Sequence, residues 1–267
     1  MQYGFIVPGG DVRHIVRMGR EAEDAGWDGF FYYDFWAESP WVTLAAVAVQ
    51  TARVRLGAIL TPLPWRRPWI IAREIASLDR LSEGRAVLPV GLGAPDEGAF
   101  ERGCTSVGEP VDRRVRAELL DEGLEIVARL WSEQKVTYHG KHYELAEFGL
   151  GTRPVQEPRV PIWVVGAWPR PKSMQRALRY DGLLVAGRVE TPNDLREVRE
   201  YVQAHRQDVG SYELVYEGRT PGDDPARAIV RPWAEAGATW WMEAMWGAPN
   251  SEADVLERIR QGPPRVE

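Results

Sequence analysis

The sequence holds one cysteine, Cys104, among 267 residues. A lone thiol excludes an internal disulfide framework and a cysteine-based metal cluster. Histidine is nearly as scarce. Only His14, His139, His142 and His205 occur. None falls at the end of a predicted strand, so neither a histidine-ligated metal nor a histidine general base is expected there. A basic excess is missing too: 33 Lys and Arg against 39 Asp and Glu leave a formal net charge of −6, which argues against a nucleic-acid footprint. No apolar run approaches the ~20 residues that span a bilayer. The opening Met1-Gln2-Tyr3-Gly4-Phe5-Ile6-Val7-Pro8 is too short for a signal peptide and lacks its basic start. A cytoplasmic protein with neither membrane nor nucleic acid as partner is predicted. Equally absent are a Gly-x-Gly-x-x-Gly turn after any strand, a nucleophile elbow and a nucleotidase-type phosphate loop.

What is present is a regular alternation of short apolar runs with longer amphipathic ones, the signature of βα units and a parallel sheet. Strands are predicted at Tyr3 to Val7, Phe30 to Asp34, Arg55 to Thr61, Ala86 to Gly91, Pro161 to Gly166, Leu183 to Gly187, Tyr212 to Gly218 and Thr239 to Met245. Asp11 caps a helix on which Ile15, Met18, Ala22 and Ala25 recur at helical spacing until Gly26. Further helices are predicted from about Trp41 to Thr51, Pro68 to Leu81, Asp112 to Trp131 and Lys172 to Tyr180. Thr191-Pro192 starts another with a hydroxyl N-cap and proline at N1. Asp224-Pro225 and Ser251 open the last two. Val136, Tyr138, Tyr143 and Leu145 alternate around Gly140 and predict a hairpin inserted before strand five. Eight β units in one chain, 44% of it hydrophobic, fit a single α/β domain over 1–267, a (β/α)8 TIM barrel with right-handed connections. An open doubly wound sheet is the competing architecture. Pro89 has no N–H for a central ladder, so a bulge or kink is expected in strand four.

In a parallel barrel the site forms where the strands end. Those ends are Pro8, Asp34, Thr61, Gly91-Leu92-Gly93, Gly166-Ala167-Trp168, Gly187-Arg188, Glu217 and Glu243 to Trp246. Such a glycine-rich, aromatic, sparsely ionic mouth suits a cofactor that carries the chemistry while the protein supplies position and electrostatics. From Gly166 the chain leaves a buried strand, passes Arg170 and Lys172 and starts a helix, a pattern able to hold a phosphate. A turn with solvated cations reads the same residues. Gly91-Leu92-Gly93 leaves backbone room beside a flat ring. The twelve tryptophans either pack the barrel or line an amphipathic pocket, with Phe5, Trp36, Trp168, Trp241 and Trp246 as pocket aromatics.

Four stretches carry a family resemblance. They are Glu21 to Gly29 with the aromatic strand ending in Asp34, Arg53 to Pro62, Arg73 to Arg85 with Val90-Gly91-Leu92-Gly93, and Pro161 to Gly166 with Ala177 to Gly182. In this order the chain resembles the bacterial-luciferase-like family of flavin-dependent oxidoreductases. The resemblance implies a (β/α)8 barrel with an insertion around strand five, often a dimer, that binds reduced FMN or coenzyme F420 at its mouth. It implies a non-proline cis peptide at Ala58–Ile59 behind the ring, the Thr61 hydroxyl at the ring edge, and N–H groups of Gly166, Ala167 and Trp168 on the phosphate. Arg66 and Arg67 would lie where an acidic cofactor tail runs. One departure stands out. F420-dependent dehydrogenases of the family carry Asp-His after strand two, and this chain reads Asp34-Phe35. With that histidine missing, Asp34 and Glu243 are the catalytic candidates and Glu217 a further acid; a structural pairing, for instance with Arg188 or Arg219, reads Glu217 and Glu243 as well. The activity implied is reduction or oxygenation of a small, mostly apolar substrate in a dry pocket, with a homodimer and a separate flavin reductase as partners. A non-catalytic, flavin-sequestering or structural member is the competing reading.

Overall fold

The computed structural model describes residues 1–34, 38–93, 103–208, 210–222, 224–246 and 251–266. Its main sheet contains β1 (Gln2–Val7), β2 (Gly29–Tyr32), β3 (Arg55–Ala58), β4 (Thr61–Pro62) and β5 (Leu88–Gly91). A hairpin, β6 (Val136–His139) and β7 (Glu144–Phe148), stands apart as a two-stranded antiparallel sheet. The main sheet resumes with β8 (Ile162–Trp168), β9 (Gly182–Gly187), β10 (Glu213–Gly218) and β11 (Trp240–Ala244). All pairings among these strands are parallel, in the order β3-β2-β1-β11-β10-β9-β8-β5-β4. β3 and β4 are two halves of one barrel strand. β3 pairs with β2, β4 pairs with β5, and a Leu56–Ala86 bridge ties the lower half to the fourth strand and closes the ring. Eight barrel strands result, and the open sheet is set aside.

The helices flank this ring: α1 (Val12–Asp24), α2 (Pro40–Ala48), α3 (Pro68–Leu81), α4 (Arg113–Ser132), α5 (Pro171–Ala177), α6 (Pro192–His205), α7 (Asp224–Ala236) and α8 (Glu252–Arg260). Side chains satisfy backbone N–H groups that a helix start leaves unpaired. Asp11 accepts from Arg13 N, Asp112 from Arg114 and Val115 N, and Thr191–Asp194 and Ser251–Asp254 form reciprocal capping boxes. Strand five outruns its predicted end by two residues, to Trp168, while α5 starts one residue before Lys172 and stops three before Tyr180.

Side-chain alternation divides the core in two. The inward set includes Ile6, Phe31, Ile59, Val87, Trp163, Leu184, Val215, Trp240, Met242 and Ala244; the residues between them pack outward against the helices. Phe31, Trp163 and Trp240 meet with ring centroids 5.2 to 6.1 Å apart and plug the barrel. Each such ring buries roughly 150–250 Å2, worth ~4–6 kcal/mol of transfer free energy at about 25 cal/mol per Å2. A Cβ on Gly4 would sit 2.6 Å from Met242 Sδ, so glycine there makes room for the plug.

Pro89 is accommodated by its neighbour. Between the Leu56–Ala86 bridge and the Thr61–Val90 pair, the third strand uses one residue more than the fourth. The bulge therefore lies in strand three rather than in strand four. Val87 N donates to Leu56 O and Leu88 N to Pro161 O, so alternation turns the Pro89 nitrogen toward the break between β3 and β4, where it is opposite no ladder position. The non-proline cis bond also lies one residue later than expected, at Ile59–Leu60.

Candidate active site at the barrel mouth

Above the aromatic plug the barrel narrows in side-chain size, not in backbone. The last inward position of β5 is Gly91, of β8 Ala167, of β9 Ala186 and of β11 Ala244, so four strands end on a hydrogen or a methyl group. Ala167 and Ala186 are directly paired and half-buried. These positions make a floor of small residues, and Val165 and Leu60 close in beside Gly91, within about 3.1 Å of where a side chain there would begin.

Over that floor stands one acid. Glu217 shares the inward face of Val215 and pairs with Met242 across the ladder. Trp246 Nε1 donates to its Oε2 at 3.0 Å, and the Trp246 ring meets Tyr33 edge-on at 5.1 Å. Solvent reaches Glu217 from above, yet protein surrounds it on the other sides. This burial raises its pKa, against the lowering effect of the Trp246 hydrogen bond.

The two acids proposed as catalytic from sequence face elsewhere. Asp34 follows β2 and is fully enclosed, both its oxygens taken by Arg66 Nη2 at 2.7 and 2.9 Å. Burial lifts its pKa from 3.8 to about 6, with Arg66 pulling it down and Glu74 adding to the rise. Glu243 is two residues from Trp241 on the outward face of β11. It accepts from Thr220 N at 2.7 Å, Thr220 Oγ1 at 2.9 Å, Trp241 Nε1 at 3.1 Å and Arg258 Nη2 at 3.3 Å. No face of it is open to solvent. Glu243 is built into a buried network that ties β11 to α8.

The cofactor residues expected from sequence divide in the same way. Ile59, Gly91 and Ala167 are inward, as a ring site needs. Ala58 packs outward. Thr61 pairs with Val90, an outward residue, and paired residues share a face. The bulge has turned Thr61 away from the ring position, and its buried hydroxyl has no partner among the described residues. Gly166 also faces outward, where Met174 of α5 and Leu183 press on it, so its glycine serves helix packing. Ala167 N already binds Ser173 Oγ at 3.0 Å, and Trp168 packs edge-on against Tyr201 at 5.4 Å. Phe5 and Trp241 belong to the outer core rather than a pocket. Leu92 and Gly93 are half-buried beyond β5. Arg170 and Lys172 are exposed just past β8, and neither engages an acid among the described residues. Arg66 is paired through Nη2 with Asp34. Phe35 and Trp36 lie outside the described residues. Tyr33 was missed by sequence reading, although its place two residues after the inward Phe31 signalled it.

A model of the luciferase-like monooxygenase family matches residues 2–259. The chain belongs to this family of oxidoreductases. It is 31% identical over 241 residues to an F420-dependent glucose-6-phosphate dehydrogenase of Kineococcus radiotolerans, covering 82% of this chain and 68% of that one. Two solved structures share the fold at 17% identity. The monooxygenase RslO1 of Streptomyces bottropensis superposes with a TM-score of 0.78, over 98% of this chain and 97% of that one. The coenzyme F420-dependent tetrahydromethanopterin reductase of Methanopyrus kandleri gives 0.76, over 98% of each chain. Among the described residues there is no cluster of metal-ligating side chains, and no helix is long and apolar enough to cross a membrane.

Proposed function

We propose that this family member binds coenzyme F420 at the barrel mouth and uses it on a small, mostly apolar organic substrate. The floor of Gly91, Ala167, Ala186 and Ala244 carries the reading: the inward side chains are bulky and aromatic below this level and small at it. The F420-dependent relative favours the deazaflavin over FMN. When bound, F420 supplies or accepts a hydride. The protein's part is to seat the ring on the floor, hold the phosphate with Arg170 and Lys172, and wall off water with Tyr33 and Trp246. Glu217 takes or gives the proton that accompanies hydride movement on the substrate, the task left open by Phe35 in place of histidine. A separate reductase that recycles the cofactor, a homodimer and a cytoplasmic setting accompany this reading.

Titrating the purified protein with F420, FMN and reduced FMN, followed by tryptophan fluorescence, tests it. F420 is expected to bind with saturation and most tightly. Tighter binding of reduced FMN would move the protein to the flavin oxygenases, and no binding of any would leave the mouth without a cofactor.

A further inference from the structure

The sequence places three acids at strand ends, Asp34, Glu217 and Glu243. The fold supplies a cation to two of them. Asp34 pairs with Arg66, and Glu243 pairs with Arg258. Glu217 has no such partner among the described residues: its carboxyl answers only to burial and to the Trp246 N–H. A carboxylate shielded from water on most sides, with no counter-charge beside it, is poorly stabilised as an anion. A ligand that brings the missing charge completes it.

The surroundings narrow what that ligand is. Trp246 Nε1 fills one oxygen of Glu217 at 3.0 Å, and solvent reaches the residue from the mouth. The Trp246 and Tyr33 rings meet edge-on beside it, with centroids 5.1 Å apart. Ala186 and Ala244 are the small inward residues of the neighbouring strands β9 and β11. Walls of this kind suit an apolar body. At the carboxylate a ligand anion is repelled, and a hydroxyl offers one neutral hydrogen bond. A protonated amine offers three N–H donors together with the charge. We infer that the substrate taken at this mouth is a protonated alkylamine, its ammonium group on the free oxygen of Glu217 and its carbon chain against the Trp246 and Tyr33 rings. The inference rests on the reading of the mouth as the substrate site and names the substrate's polar end. It also gives the proton taken by Glu217 an origin. An N–H bond of the ammonium breaks, an O–H bond forms on the carboxylate, and both groups end neutral.

Isothermal titration calorimetry of the purified protein with n-hexylamine, 1-hexanol and hexanoate tests this at neutral pH, where an alkylamine stays protonated. F420 binding is measured alongside. At low salt the amine is expected to bind at least about tenfold more tightly than the alcohol, as a charge-assisted contact exceeds a neutral one, and hexanoate is expected not to bind. Glu217→Gln is expected to bring the amine down to the affinity of the alcohol and to leave the alcohol nearly unchanged, in a variant that melts with wild type. Equal wild-type affinity for amine and alcohol overturns the inference while F420 binding stands. So does an amine preference that survives Glu217→Gln, which would reflect only the net charge of −6. Glu217-dependent amine binding without any binding of F420 upholds the amine site and overturns the cofactor reading instead.

Discussion

Trp246 Nε1 donates to Glu217 Oε2 at 3.0 Å, joining the chain just past β11 to the end of its neighbour β10 at the mouth. An indole can only donate, so this contact holds one carboxylate oxygen and leaves the other to a ligand. Glu217→Gln keeps the size and one acceptor but cannot exchange a proton. It is expected to lower kcat by about 100-fold or more, within the range of general acid–base groups, while cofactor affinity stays within twofold. Steady-state kinetics beside a binding titration separates the two; a changed affinity at unchanged kcat would assign Glu217 to binding.

Asp34 makes stability depend on pH. Its pKa in the folded chain, about 6, exceeds the ordinary 3.8, so the folded state holds the proton more tightly than the unfolded one. The contribution is greatest below pH about 4 and is lost as pH rises through 6, by up to ~3 kcal/mol for a shift of about two units. Asp34→Asn keeps an acceptor for Arg66 and does not titrate. Its stability relative to wild type, from urea unfolding, is expected to rise between pH 4.5 and 7. A constant difference would show that Asp34 is ionised throughout.

Glu243 and Arg258 form a buried pair, with side chains 0% and 5% exposed. Arg258→Met leaves the carboxylate enclosed without its cation and is expected to cost about 3–5 kcal/mol. Adding Glu243→Gln removes the stranded charge and should recover much of the loss, since hydrogen bonds from Thr220 and Trp241 remain available. Chemical denaturation of both variants measures this. A stability loss under 1 kcal/mol in Arg258→Met would mean that water reaches Glu243.

Periodicity carried most of the architecture. Helix α3 begins and ends where Pro68 and Leu81 predict, because proline at N1 and the Ser82-Glu83-Gly84 turn mark both ends chemically. The orientation of Thr61 was not legible, since one inserted residue reverses every later side chain and the only trace of it is Pro89 in the next strand. Glu217 and Glu243 were equally hard to tell apart. β11 is buried on both faces, so Trp240, Trp241 and Met242 show no alternation to read. Phase came only from the pairing with β1 and β10.

Ala186 offers the most direct test of the floor. It is half-buried on the inward face of β9, and a leucine there fills the space assigned to the ring while adding only apolar volume near the open end. F420 titration of Ala186→Leu against wild type is the deciding measurement. At least tenfold weaker binding by a variant that melts within a few degrees of wild type is expected. Equal affinity in the folded variant would place the cofactor somewhere other than the barrel mouth.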